Sequence, residues 1–171
     1  MSRTIYKKIS MVLVYLLILP VKPASAFYSI NNSYINRISP TANSELLGYI
    51  QKIQPLYNEL YYLGESVYSS LMKKQNPESL IKQIDYEIAN LNSIREDLFT
   101  FSNNPSISSD DQSIALGILI TTGYYKLAYQ SLRMALNTKD SAMQIKSLAD
   151  FFRYNTLGST TLNSIEKAVN L

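Results

Sequence analysis

In 171 residues the chain carries 16 lysines and arginines and 13 aspartates and glutamates, with neither histidine nor cysteine. That composition excludes disulfides, haem attachment through a Cys/His motif, zinc coordination by His or Cys, His-containing di-iron sites, and Ser-His or Cys-His nucleophiles. No cofactor and no metal are expected.

Residues 1–26 follow the plan of a secretory signal. Arg3, Lys7 and Lys8 give a positive start, and residues 9–19 are apolar apart from Ser10, short of the ~20 residues that a spanning helix needs. Pro20 and Pro23 break a helix, and Ala24-Ser25-Ala26 offers small side chains for cleavage before Phe27. No cysteine follows the apolar run, so a lipoprotein-type anchor is not expected. Arg3, Lys7, Lys8 and Lys22 leave with the leader, which holds no acid; twelve bases then face 13 acids, a net charge of about −1. Lys73-Lys74 is the one adjacent basic pair that remains, read as a solvated helix end, so nucleic-acid binding is not expected. The expected product is exported to an extracellular, periplasmic or other extracytoplasmic space, with no membrane span after cleavage.

Residues 27–43 are rich in Asn, Ser and Tyr, include Pro40, and read as an extended N-terminal arm. The spacing then predicts a helix over 44–73, with Ser44 as cap and Leu46, Ile50, Ile53, Tyr57, Leu60, Gly64, Val67 and Leu71 on one seam, kinked at Pro55. Asn76-Pro77-Glu78 starts a second helix with Leu80, Ile81, Ile84, Ile88, Leu91, Ile94, Leu98 and Phe101 inward, ending before Pro105. A third, over about 110–136, starts with Ser109 as cap and two acids, Asp110 and Asp111. Its seam is Ile114, Ile118, Thr121, Tyr125, Ala128, Leu132 and Ala135, and other faces carry Leu116, Leu119, Ile120, Tyr124 and Leu127. Asp140 caps a fourth helix with Ala142, Ile145, Leu148, Ala149 and Phe152 inward. Beyond Gly158 the spacing resumes at Leu162, Ile165 and Val169, either as a continuation or as a separate last turn or two. Four such helices on short links predict an all-α, up-down-up-down four-helix bundle over 44–171.

No glycine-rich phosphate loop is present, and the acid pairs Asp85/Glu87 and Glu96/Asp97 are too close in sequence to converge on a helix, as are Asp110 and Asp111. An enzyme is therefore not expected. Residues 112–125 carry no charge, so this part of the third helix needs a cover. Twelve of the 14 tyrosines lie beyond the leader, a residue type enriched at interfaces. The expected partner-docking region is the charge-free half of the third helix, from Ile114 to Tyr125 with Ile118, Tyr124 and Tyr125 singled out, together with Tyr57, Tyr61, Tyr62 and Tyr68 of the first, for a protein partner or self-association. The alternative is a soluble binding protein for a small apolar or aromatic ligand between the helices, with Gly64 and Gly123 leaving room. In layout alone, an exported bundle behind an extended arm, the chain resembles the Q-type extrinsic subunits that dock on photosystem II from the thylakoid lumen. The resemblance covers no specific motif and implies a docking subunit.

Expressed with its leader, the chain is expected outside the cytoplasm with Phe27 as its first residue. N-terminal sequencing checks this, and intact Met1 in a membrane pellet would contradict it.

Overall fold

The computed structural model describes residues 44–169; the expected leader over 1–26 and arm over 27–43 lie outside the described residues. Four helices follow in order, α1 (Ser44–Lys73), α2 (Glu78–Ser102), α3 (Ser109–Asn137) and α4 (Ser141–Ala168), and there is no strand among the described residues. This all-helical arrangement is consistent with a four-helix bundle.

Helix starts are set by side chains that accept otherwise orphaned backbone N–H groups. Asn76 Oδ1 accepts from the Glu78 amide at 3.0 Å, with Pro77 between them in helical geometry. Asp140 Oδ1 accepts from the Ala142 amide at 2.8 Å. The cap of α3 is Ser108, not the expected Ser109: its Oγ accepts from the Asp111 amide at 3.0 Å and donates to Asp111 Oδ2 at 2.9 Å, a reciprocal pairing. At the end of α1, Lys74 takes a left-handed conformation (φ 52°). The Gln75 amide then reaches Ser70 O at 3.1 Å and the Lys74 amide reaches Leu71 O at 3.4 Å, closing the last turn as a Schellman motif. Lys73 and Lys74 are both exposed there. Helix α1 runs unbroken through Pro55; Pro55 and Gln51 are both exposed, so water can serve the carbonyl that Pro55 leaves without a donor.

Side-chain contacts give the direction of each helix. Gln83 Nε2 of α2 donates to Glu59 Oε1 of α1, while Tyr49, earlier in α1, meets Phe101, later in α2, with ring centroids 6.4 Å apart. Arg133 of α3 pairs with Asp85 of α2 at 2.8 Å, and Gln112 Nε2 donates to Ser102 O at 3.2 Å. In α4, Ile165 lies against Gly117 and Gly158 against Tyr125 of α3. Gln54 Nε2 of α1 donates to Glu166 Oε1 at 2.8 Å, and Phe151 packs on Gly64. Each consecutive pair is thus antiparallel, as is α1 with α4. Helix α3 touches all three others.

All seven seam residues expected on α3 are buried. On α1 the stripe is wider than expected: Tyr49, Leu56, Leu63 and Ser70 are buried too, whereas Tyr57 and Leu71 are half-buried, because α1 meets three neighbours instead of one seam. On α2 the inward face is Ile84, Leu91, Ile94, Leu98 and Phe101 as expected, with Leu80, Ile81 and Ile88 only partly buried. Helix α4 departs most. Phe151 is buried and Phe152 is 38% exposed, reversing the expectation; Ala142 is exposed, and Ile145 and Ala149 are half-buried. The buried residues Leu148, Phe151, Gly158, Leu162, Ile165 and Val169 keep a single heptad phase across the helix, and Gly158 does not interrupt it.

Two glycines set the approach of the helices. A Cβ at Gly158 would lie 2.4 Å from Tyr125 Cε1, and one at Gly64 would lie 2.6 Å from Phe151 Cζ. At Gly48, inside α1, a Cβ would meet nothing within 4 Å. Replacing Gly48 by Ala therefore adds only helix propensity, a gain of roughly 0.5–1 kcal/mol. Gly158→Ala brings the same propensity but overpacks the Tyr125 ring, at a cost of about 1–3 kcal/mol. Thermal melting is expected to rise for Gly48→Ala and fall for Gly158→Ala. Equal rises in both would show that the ring yields freely.

Candidate interaction surface

Helix α3 buries its seam on one side and leaves its opposite side in water. Leu116 (51%), Ile120 (44%), Leu127 (40%) and Met134 (51%) are exposed large apolar residues. At about 100° per residue these four fall within roughly 40° of one another, about 135° round the helix from the centre of the seam. Gly123, Tyr124 and Gln130 fill the gaps between them. The strip is about 27 Å long and carries no charge. The charged residues of this stretch, Lys126 and Arg133, lie toward α2, where Arg133 holds Asp85.

On that side a shallow cleft of about 430 Å³ adjoins the strip, lined by Asn92, Arg95, Glu96, Phe99, Thr100 and Leu119. Arg95 forms its floor. Its Nη1 donates to Leu119 O at 2.6 Å and Thr122 Oγ1 at 3.2 Å. The absence of a side chain at Gly123 admits the guanidinium, which lies 3.1 Å from where a Cβ would stand. Phe99, 64% exposed, continues the apolar surface onto α2.

The residues expected to dock a partner divide into three groups. Ile118 and Tyr125 have no exposed surface and belong to the core, a correction that follows from their place on the seam that α1 and α4 cover. Tyr57 stacks on Tyr125 at 5.8 Å and is half-buried, as are Tyr68 and Tyr124. Tyr61 (55%) and Tyr62 (63%) are exposed and meet edge to face at 5.9 Å. The structure does not join the tyrosines of α1 to the outer strip of α3, because Tyr57 and Leu56 meet α3 on its inward side. The stretch expected to dock, Ile114 to Tyr125, contains Leu116 and Ile120, although the residues singled out within it are Ile118, Tyr124 and Tyr125; Leu127 and Met134 lie beyond it. The seven-residue repeat of Ile120, Leu127 and Met134 was the available signal.

The room expected for a ligand beside Gly64 and Gly123 is occupied by the Phe151 ring and the Arg95 guanidinium. Among the described residues no group of three or more His, Cys, Asp or Glu comes together. Asp85 pairs with Arg133, the buried Glu87 accepts from Asn90 Nδ2 at 3.1 Å, and Asp111 completes the cap of α3.

Two tyrosines at the centre differ in how their hydroxyls are served. Tyr129 donates to Leu56 O at 2.8 Å, whereas the Tyr125 hydroxyl, though buried, has no hydrogen-bond partner among the described residues. Both phenols are pushed well above their usual pKa of 10.0, first by burial. The next contributions come from Tyr57 and Glu166 for Tyr125, and from Glu87, Glu59 and Tyr125 for Tyr129. In the unfolded chain each ionises near 10 and in the folded chain far higher, so folded protein binds more protons above pH 10. Stability is then complete below pH 10 and falls as pH rises beyond it, by up to about 1.4 kcal/mol per pH unit for each ring.

Tyr129→Phe is expected to cost about 1 kcal/mol at neutral pH, and Tyr125→Phe to be neutral or mildly stabilising, since it removes an unpaired buried hydroxyl. The double variant is expected to lose most of the alkaline sensitivity above pH 10. Urea unfolding at pH 7 and pH 11 reads all three; equal costs for the two single variants would contradict the difference in hydrogen bonding. Compared with protein-family models, with curated proteins and with solved structures, the chain finds no match, so the reading of its surface rests on the residues just described.

Proposed function

We propose that the chain is an exported, non-enzymatic helical-bundle protein, a structural or accessory interaction subunit of the cell envelope or of another extracytoplasmic complex, which docks through the outer face of α3. One observation carries the reading: Leu116, Ile120, Leu127 and Met134 form a continuous uncharged strip at 40–51% exposure, and Phe99 extends it. Scattered apolar residues on a surface need no explanation, whereas a contiguous patch of several hundred Å², the size of the largest and often functional patch on a monomer, supports an interaction site. Export is supported by the basic start, short apolar run and Ala24-Ser25-Ala26 in the sequence of residues 1–26. The non-enzymatic assignment is supported by the lack of His and Cys and by the structural roles of Asp85, Glu87 and Asp111.

The test replaces strip residues by lysine, one at a time. Ile120→Lys and Leu127→Lys change only exposed positions, so helicity and melting are expected to stay within about 1 kcal/mol of the parent. The assembly in which the chain migrates in native extracts is expected to shrink. An assembly unchanged by both substitutions would rule the face out as the docking surface.

A further inference from the structure

We infer that the occupant of the outer α3 face is a second copy of this chain, with its α3 packed antiparallel on the first; the inference rests on the reading of that face as a docking surface. The strip fits itself. Its centre lies near residue 125, midway between Leu116 and Met134, and a two-fold axis there sets Leu116 opposite the second copy's Met134. The same axis sets Ile120 opposite the second copy's Gln130, and Leu127 opposite its Gly123, where the strip carries no side chain. Ile120, Leu127 and Met134 recur every seven residues, the spacing that keeps an apolar seam facing a partner helix. A self-pairing face of this kind is what a two-fold contact requires.

Charge points the same way. A charged strip would repel its own copy at every register, and this one has no charge between Gln112 and Met134 except Lys126 and Arg133, which are turned toward α2. An antiparallel two-fold contact sets the α2 side of one copy against the α2 side of the other. Arg95 lies level with Leu119 and Thr122, so the neighbouring Glu96 is near the height of residue 120. In the pairing, the two copies' Lys126 lie about 3 Å apart along the axis on the α2 flank, and each is within about 6 Å along the axis of the other copy's Glu96, whose carboxylate offsets that like-charge approach.

The area sets the strength. The four half-exposed strip residues with Phe99 offer on the order of 500 Å² per copy, below the ~800 Å² of a standard interface. Tyr124, Leu119, Gln130 and the stem of Lys126 add the flanks. The dimer is accordingly of the weaker class, with dissociation expected in the micromolar range.

The chain has no cysteine, so each introduced one is a unique reporter. Residue 124 lies next to the axis, and its two copies are offset by only about 3 Å along the helices. Under mild oxidation, Tyr124→Cys is expected to give a disulfide-linked dimer. Leu116→Cys is expected not to link to itself, its copies being about 27 Å apart, but to link to Met134→Cys when the two variants are mixed. Light scattering of the purified parent chain is expected to move from one chain mass toward two between about 1 µM and 1 mM, and Leu127→Lys to stay at one. Circular dichroism confirms folding of every variant, and the Leu116/Met134 mixture keeps the test open should Tyr124→Cys not fold. A parent that stays monomeric throughout, or Leu116→Cys linking to itself as readily as Tyr124→Cys, overturns the inference. A monomeric parent that dimerises only once residues 27–43 are removed overturns it in favour of the arm. A monomeric parent whose native assembly is still lost in Leu127→Lys overturns the second copy but leaves the docking face standing.

Discussion

The ring of Tyr125 occupies the space where residue 158 would carry a Cβ, and the arrangement of the four helices depends on that seat. It brings α4 close against α3, and the same ring stacks on Tyr57, so one side chain of α3 holds both neighbours. Phe151 on Gly64 repeats the device between α4 and α1. Ring-on-glycine contacts buy aromatic burial without widening the bundle, and they select one rotational setting for each helix because the neighbouring turns have no such opening.

With α3 fixed among three neighbours, its surface has only one side left. The core claims Ile114 through Ala135 on the seam, α2 claims Thr122 and Arg133, and α4 claims Gly117 and Tyr125. What remains is the line from Leu116 to Met134. A bundle with an ordinary outer helix would place Lys, Glu or Gln there. Leucine, isoleucine and methionine at those positions keep 40–51% of their surface in water, which is what supports the proposed docking role of this face.

Much of this fold was legible because its periodicities are long. All seven residues of the α3 seam from Ile114 to Ala135 are buried as the spacing predicts, since a 3.5-residue repeat is sustained there over three heptads. Asp140 as a cap and Asn76-Pro77-Glu78 as a start were equally plain. Where the reading failed, two like residues stood side by side and a distant partner chose between them. Phe151 and Phe152 have the same hydrophobicity, and only Gly64, nearly ninety residues earlier, takes one of them. Ser108 and Ser109 are both good caps, and the carboxylate of Asp111 decides. The candidate surface was legible only in part. Its lack of charge marks the stretch of α3 that carries the exposed Leu116 and Ile120, but Ile118 and Tyr125 belong to the face that turns inward. Which side of a doubly apolar helix meets water is a property of the neighbours, not of the helix.

Lys74 shows how far apart the constraints on adjacent identical residues can lie. Lys73 closes α1 in ordinary helical geometry, whereas Lys74 holds the left-handed backbone that lets Gln75 reach back to Ser70. A side chain in that conformation costs roughly 1 kcal/mol or more, which glycine would avoid and a β-branched residue would increase. Along evolutionary drift, position 73 therefore tolerates almost any good helix former, while position 74 admits glycine or asparagine readily, lysine at a cost, and valine or isoleucine hardly at all.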